Sequence, residues 1–316
     1  MIQRVALGAV LGVPVGAAAV TALAAWQGAR RFVTPRRLPD KFITPWELGI
    51  PYEDVQFRTS DGLTLSGWWI SHPDATRTVV TLTGHHGGRW DTIGIGSALW
   101  RRGMNVLLFD YRGRGASDPH INTLGYFETR DALAAVDFVH GRAPDTSIGL
   151  VGYSMGASIA IMAGARDTRV KAVVADSPFA SQRQVIRLFV RRRWRLLPHF
   201  PFLYLMEAFL PYDVEDVEPI QEVSKIAPRA LMLIHGERDT LCDPRDSDAL
   251  YAAAGEPKEM WALPNVAHVG AYFADRDVYV TRVAAFLEKH LIEGTAEEPV
   301  TLQAGGMRHD GKEASG

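Results

Sequence analysis

The constraint that narrows the fold most lies at residues 150–164, LVGYSMGASIAIMAG. An apolar run, a serine between two glycines and a small-residue helix follow one another without a spacer. That order makes the chain reverse from strand to helix in a space too tight for side chains. Gly152, Gly156, Ala157 and Ser158 meet the demand. The turn would lift the Ser154 hydroxyl above the strand end, and the helix N-terminus behind it offers backbone N–H groups to an anion. Gly-x-Ser-x-Gly also occurs by chance in ordinary Gly-rich loops, so the surrounding pattern has to decide.

That pattern is an alternation of strands and helices. EDVQFRTSDGLTLSGWWI alternates polar and apolar residues around Asp61-Gly62 and reads as a hairpin. RTVVTLTG, MNVLLFDYRG, SIGLVGYS, VKAVVADSP, RALMLIHGERD and EMWALPNVAH read as strands. WDTIGIGSALWRRG, YFETRDALAAVDFVHG, the segment following Ser154 and residues 278–291 read as helices between or after them. Apolar strands alternating with helices predict an α/β fold, with a mostly parallel sheet covered on both faces. Ligands of such sheets bind beyond the carboxyl ends of the strands.

Residues 51–292 are therefore read as one α/β domain. Its long interruption at about 179–227, with FPFLYLMEAFLPY, predicts a helical lid over the sheet end. Residues 293–316 lack periodicity and are expected to be a disordered tail.

Residues 5–29 contain no charge, which is long enough to span a bilayer as a helix. Residues 1–29 are thus expected to be a single-pass transmembrane anchor, with a cleaved signal peptide as the competing reading. Gly8, Gly12 and Gly16 recur every fourth residue and would admit a second helix. Arg30, Arg31, Arg36, Arg37 and Lys41 follow the apolar run, and by the positive-inside rule the domain that follows is expected to be cytoplasmic. Residues 30–50, interrupted by Pro35, Pro39 and Pro45, read as a linker. The net charge of −2 gives no reason to expect nucleic acid, and the lone Cys242 excludes an internal disulfide. Nothing in the sequence fixes the oligomeric state.

A serine hydroxyl needs a base, and the base an orienting acid. Asp239 follows the strand RALMLIHG and His268 follows EMWALP, in the order serine, acid, histidine. Glu237 and Asp243 lie close to Asp239, and Asp176, ending VVADSP, is the alternative acid. The oxyanion donors are expected to be the backbone N–H groups of Met155 and His85, with His86 the fallback. A metal site on His85 and His86 is not expected, since adjacent residues seldom turn both rings to one ion.

With these residues placed, the chain resembles the α/β-hydrolase superfamily over about residues 50–292. Within it, the chain is similar to hydrolases of the serine aminopeptidase and Bem46-type groups, which often carry an N-terminal membrane anchor. The resemblance rests on EDVQFRTSDGLTLSGWW, FDYRGRGASD, GYSMGAS, DSPFA, LIHGERD and PNVAH. It implies Ser154 as nucleophile, Asp239 as orienting acid, His268 as base, and His85 and Met155 as oxyanion donors. Residues 110–117 are similar to the family's Asp-x-Arg-Gly-x-Gly-x-Ser turn, where the arginine braces loops around the site. The sequence departs from the family's His-Gly after the first core strand, having Thr83-Gly84 and then His85.

The expected chemistry is acyl transfer without a cofactor, from a small-molecule carboxylic ester or thioester with an apolar acyl group. A serine peptidase is the alternative, and a membrane-tethered binding protein that has lost catalysis a third reading. Arg187, Arg191, Arg192, Arg193 and Arg195 in the lid could face anionic headgroups, or form an ordinary solvated face.

Overall fold

The computed structural model describes residues 2–35, 41–193 and 199–291. The expected tail at 293–316, together with Arg36, Arg37 and Arg195, lies outside the described residues, as do the side chains of Arg192 and Arg193.

The strands are β1 (Glu53–Arg58), β2 (Thr64–Ile70), β3 (Arg77–Leu82), β4 (Asn105–Phe109), β5 (Ser147–Tyr153), β6 (Val170–Asp176), β7 (Ala230–Gly236) and β8 (Lys258–Leu263). They form one eight-stranded sheet in the order β1-β2-β4-β3-β5-β6-β7-β8. The hairpin β1–β2 pairs antiparallel with β4, and every pairing from β4 through β3 to β8 is parallel. β4, β5 and β7 are buried along nearly their whole length, whereas the edge strand β8 is only half-buried. Continuous apolar runs such as LLF and LMLI are what a strand covered on both faces requires.

Helices α2 (Ile93–Trp100), α3 (Glu128–Arg142), α4 (Met155–Arg166), α8 (Pro244–Ala253) and α10 (Arg276–His290) supply that cover. Ile95, Leu99, Val283 and Leu287 from α2 and α10 share one core layer. Ala132, Val136, Ile159 and Met162 from α3 and α4 belong to the layer on the other side. Each layer is made of residues at three- and four-residue spacing, the stripe that a helix turns toward a sheet.

The segment after β6 contains α5 (Gln182–Arg193), α6 (His199–Ala208) and the short α7 (Pro219–Glu222). Ile186, Val190, Phe202 and Met206 are buried in the same core layer as α3 and α4, so α5 and α6 are packed elements.

The N-terminal helix α1 runs from Ile2 to Val33. Among the described residues no helix is long and apolar enough to cross a membrane. The second half of the expected anchor has a different use. Ala25 and Ala29, one turn apart, are buried, and Gly28 faces Phe202 and Met206 of α6. The backbone does not break at residue 30 either, because no proline intervenes before Pro35, and Pro35 disfavours helix at Thr34. The four residues following Ala29 thus extend α1 and bring its last turn over the sheet end.

Candidate active site

Ser154 sits between β5 and α4 with φ 54° and ψ −119°, a conformation that L-residues rarely adopt. Two glycines make the turn possible. A Cβ on Gly152 would lie 2.1 Å from the Gly156 carbonyl oxygen, and one on Gly156 would lie 2.2 Å from that of Leu82. Both contacts are with backbone, which cannot swing aside. Gly156→Ala is therefore expected to cost at least about 3 kcal/mol, beyond ordinary overpacking. Urea unfolding checks this, and stability within about 1 kcal/mol of wild type would refute the close approach.

From the ends of β7 and β8, two more side chains reach Ser154. His268 Nε2 is 2.8 Å from Ser154 Oγ, and His268 Nδ1 is 2.6 Å from Asp239 Oδ2. Four donors converge on Asp239. Its Oδ1 accepts the Leu241 and Cys242 amides at 2.7 and 3.0 Å. Its Oδ2 takes His268 and, at 3.1 Å, His235 Nε2. Burial opposes the Asp239 charge, yet the hydrogen bonds from His235 and His268 outweigh it and hold the carboxyl well below the usual carboxylate range. An ionised Asp239 fixes both imidazoles with the proton on the nitrogen that faces it. His268 Nε2 is then left to accept the serine proton, and His235 Nδ1, 2.6 Å from Ser247 Oγ, to accept that hydroxyl.

Asp176, the alternative acid, faces elsewhere. It is fully buried, with Ser177 Oγ donating to Oδ1 at 2.9 Å and Tyr279 OH to Oδ2 at 3.0 Å. Ser177 Oγ in turn accepts the Val269 amide at 3.1 Å, so Asp176 supports the backbone beside His268. Of the other nearby acids, Asp243 caps α8 and pairs with Arg245.

Met155 is the first residue of α4, where backbone N–H groups have no partner within the helix. The loop after β3 lies against the elbow, where a Cβ on Gly84 would come within 3.6 Å of Ser154 Cβ. The His86 amide donates back to the Gly84 carbonyl at 3.2 Å, which closes the loop and leaves the fallback donor occupied. Arg114 secures this loop by donating to the carbonyls of Gly84 at 2.8 Å and Gly87 at 3.3 Å. Arg112, at the arginine position of the Asp-x-Arg-Gly turn, instead ties Asp131 of α3 to Asp61 at the hairpin tip. The bracing expected of Arg112 at the site belongs to Arg114.

Ser154, Met155, His85, His86 and His268 line a cavity of about 810 Å³. Leu124, Phe179, Val185, Leu188 and Leu241 form apolar walls, and Arg31, Phe32 and Thr34 of the α1 end complete it. Among the described residues, Asp239, Cys242 and His268 carry potential ligand atoms within 4.8 Å of one another. An ion there would compete for the two imidazole nitrogens that hold Ser154 and Asp239. Burial pushes the Cys242 thiol well up, so its sulfur stays protonated.

The comparisons agree with this architecture. A family model described as the alpha/beta hydrolase fold matches residues 77–218. The uncharacterized protein YfhR of Escherichia coli K12 is 31% identical over 257 residues, covering 77% of this chain and 81% of that protein. The chain belongs to the α/β-hydrolase superfamily. This α/β-hydrolase is also similar to the Pyrococcus furiosus esterase Pf2001, with 28% identity and a TM-score of 0.71 over 83% of this chain and 99% of that one. The alpha/beta hydrolase domain-containing protein WAV2 of Arabidopsis thaliana is 26% identical over 276 residues, 81% of this chain and 85% of WAV2.

Sequence reasoning missed four contributors to the site of this α/β-hydrolase. His235 stands inside the quoted LIHGERD, and a histidine at a strand end four residues before an acid was the signal available. Arg114 occupies a variable position of its motif, and its neighbour Arg112 drew the role. Phe32 and Arg31 were assigned to a linker, and no local pattern marks them as pocket residues.

Proposed function

We propose that this α/β-hydrolase is a serine esterase, cleaving a carboxylic ester or acyl thioester through an acyl-enzyme on Ser154. The reading is carried by the hydrogen-bonded chain from Ser154 through His268 to Asp239, with links of 2.8 and 2.6 Å. His268 takes the Ser154 proton as Oγ attacks the carbonyl carbon. The tetrahedral oxyanion lies toward the backbone N–H groups of Met155 and His85. His268 then gives the proton to the departing alcohol or thiol, and the acyl group remains on Oγ. Water attacks in turn, losing its proton to His268, and the acid leaves as Oγ is reprotonated. No step calls for a cofactor.

The aminopeptidase alternative needs a carboxylate to hold the substrate ammonium. Among the described residues no Asp or Glu lines the cavity, and the four hydrogen bonds to Asp239 use up its acceptor sites. The apolar walls favour an acyl chain instead.

A fluorophosphonate probe is expected to label Ser154, and 4-nitrophenyl esters to be hydrolysed without added metal. Each added acyl methylene should raise kcat/KM by about two- to fourfold until the cavity is filled, following the transfer free energy of a CH₂ group. Aminoacyl amides should react at least about a hundredfold more slowly. Faster cleavage of the amides would establish the peptidase instead, and absence of labelling would indicate a binding protein.

A further inference from the structure

Arg31 stands in the last turn of α1, exposed, and it lines the same cavity as Ser154. Arg183 of α5 pairs with Glu207 and Glu215, whereas Arg187 and Arg191 of the same helix are exposed and have no carboxylate partner among the described residues. No carboxylate among the described residues pairs with Arg31. The charged and titratable residues of the cavity lining are this one arginine, three histidines and Cys242, with no acid among them.

An exposed arginine is ordinarily just solvated. What sets Arg31 apart is that its backbone is held to the site. The next residue, Phe32, stacks on His85 with ring centroids 6.5 Å apart and planes 26° from parallel. Ala25 and Ala29 anchor the preceding turns in the core, and the Thr34 hydroxyl donates to the Arg30 carbonyl at 2.6 Å to finish the helix. The guanidinium is thereby presented where an apolar cavity opens to solvent. Low-dielectric walls concentrate the field of a single cation at such a mouth.

We propose that the substrate is amphiphilic, with an anionic group beyond its ester that Arg31 binds while the acyl chain fills the cavity. The last turn of the N-terminal helix is then part of the substrate site. This rests on the esterase reading for its chemistry, but not for its test. A guanidinium pairs with a phosphate or a carboxylate through two parallel N–H···O bonds. Because Arg31 is exposed, solvent limits the gain to about two- to fivefold in affinity.

The test measures binding in the Ser154→Ala protein by calorimetry, with decyl phosphate, decanoate and decanol as probes of equal chain length. At least one anion is expected to bind about two- to fivefold more tightly than decanol, and the tighter of the two names the anionic group. Raising salt from 20 to 200 mM should shrink the preference. Adding Arg31→Gln should bring the ratio near one, Arg31→Glu should reverse it, and Arg31→Lys should keep most of it. A merely structural arginine would not show that order. Equal affinities for all three probes, or an anion preference that survives Arg31→Gln, would overturn the proposal. No turnover is involved, so failure of the wild-type protein to cleave decanoyl esters would sink the esterase reading alone.

Discussion

Ser154→Ala and His268→Ala are each expected to lower kcat by about 10⁴- to 10⁶-fold, and the double variant by no more than the larger single loss. The two side chains perform one act, the transfer of a proton from Oγ to Nε2 across 2.8 Å, so removing either ends it. The folded state should survive both changes. The elbow is held by backbone bonds, from the Ser154 amide to the Asp176 carbonyl at 2.8 Å and from the Ala157 amide to the Ser154 carbonyl at 2.9 Å. Neither involves the hydroxyl. Ser154 itself is held at φ 54°, which costs a residue with a Cβ about 1–3 kcal/mol. Ser154→Gly should accordingly be as inactive as the alanine variant and yet melt a few degrees above wild type. Steady-state kinetics and calorimetry check both halves. Additive losses in the double variant would mean that the residues act in separate steps.

The Ser154 elbow and the strand-end position of His268 were legible because both follow from local pattern. A strand must end somewhere, and in a parallel sheet all such ends share one rim, so residues far apart in sequence converge without any long-range information. The buried strands read well for the same reason, since continuous apolar runs have few alternatives. Contacts between elements were not legible. Arg112 and Arg114 are chemically equivalent and two residues apart, and only the assembled loops determine which reaches Gly84 and which reaches Asp131. The uncharged run at the N-terminus satisfies the length rule for a bilayer. Its small residues at positions 25, 28 and 29 equally suit close packing on another helix, and α6 is the partner found. The placement of Phe32 against His85 depends on that packing and has no signature within residues 30–34.

The two acids separate by what an amide would do in their place. In Asp239→Asn, the NH₂ group must face either two backbone amides or two imidazole N–H groups. The amides of Leu241 and Cys242 are fixed, whereas His268 can move its proton from Nδ1 to Nε2. The second arrangement therefore prevails, and the tautomer it enforces cannot accept the Ser154 proton. A fall of about 10⁴-fold in kcat is expected, with the fold retained. Asp176→Asn should change kcat by less than about tenfold, because Asp176 meets Ser177 and Tyr279, whose hydroxyls can turn to suit an amide. Its signature is in stability. Burial raises the Asp176 pKa to about 6 in the folded chain, against about 3.9 unfolded. The folded state thus holds its proton more tightly, and wild-type stability falls as pH rises from about 4 to 6, then carries the full penalty above 6. Asparagine does not ionise, so Asp176→Asn should gain on wild type by roughly 1–3 kcal/mol between pH 4 and 7.5, the upper limit being the two-unit gap. Urea melts at the two pH values measure this gain. Near-wild-type turnover in Asp239→Asn, joined to a collapse in Asp176→Asn, would transfer the orienting role to the acid at the end of β6.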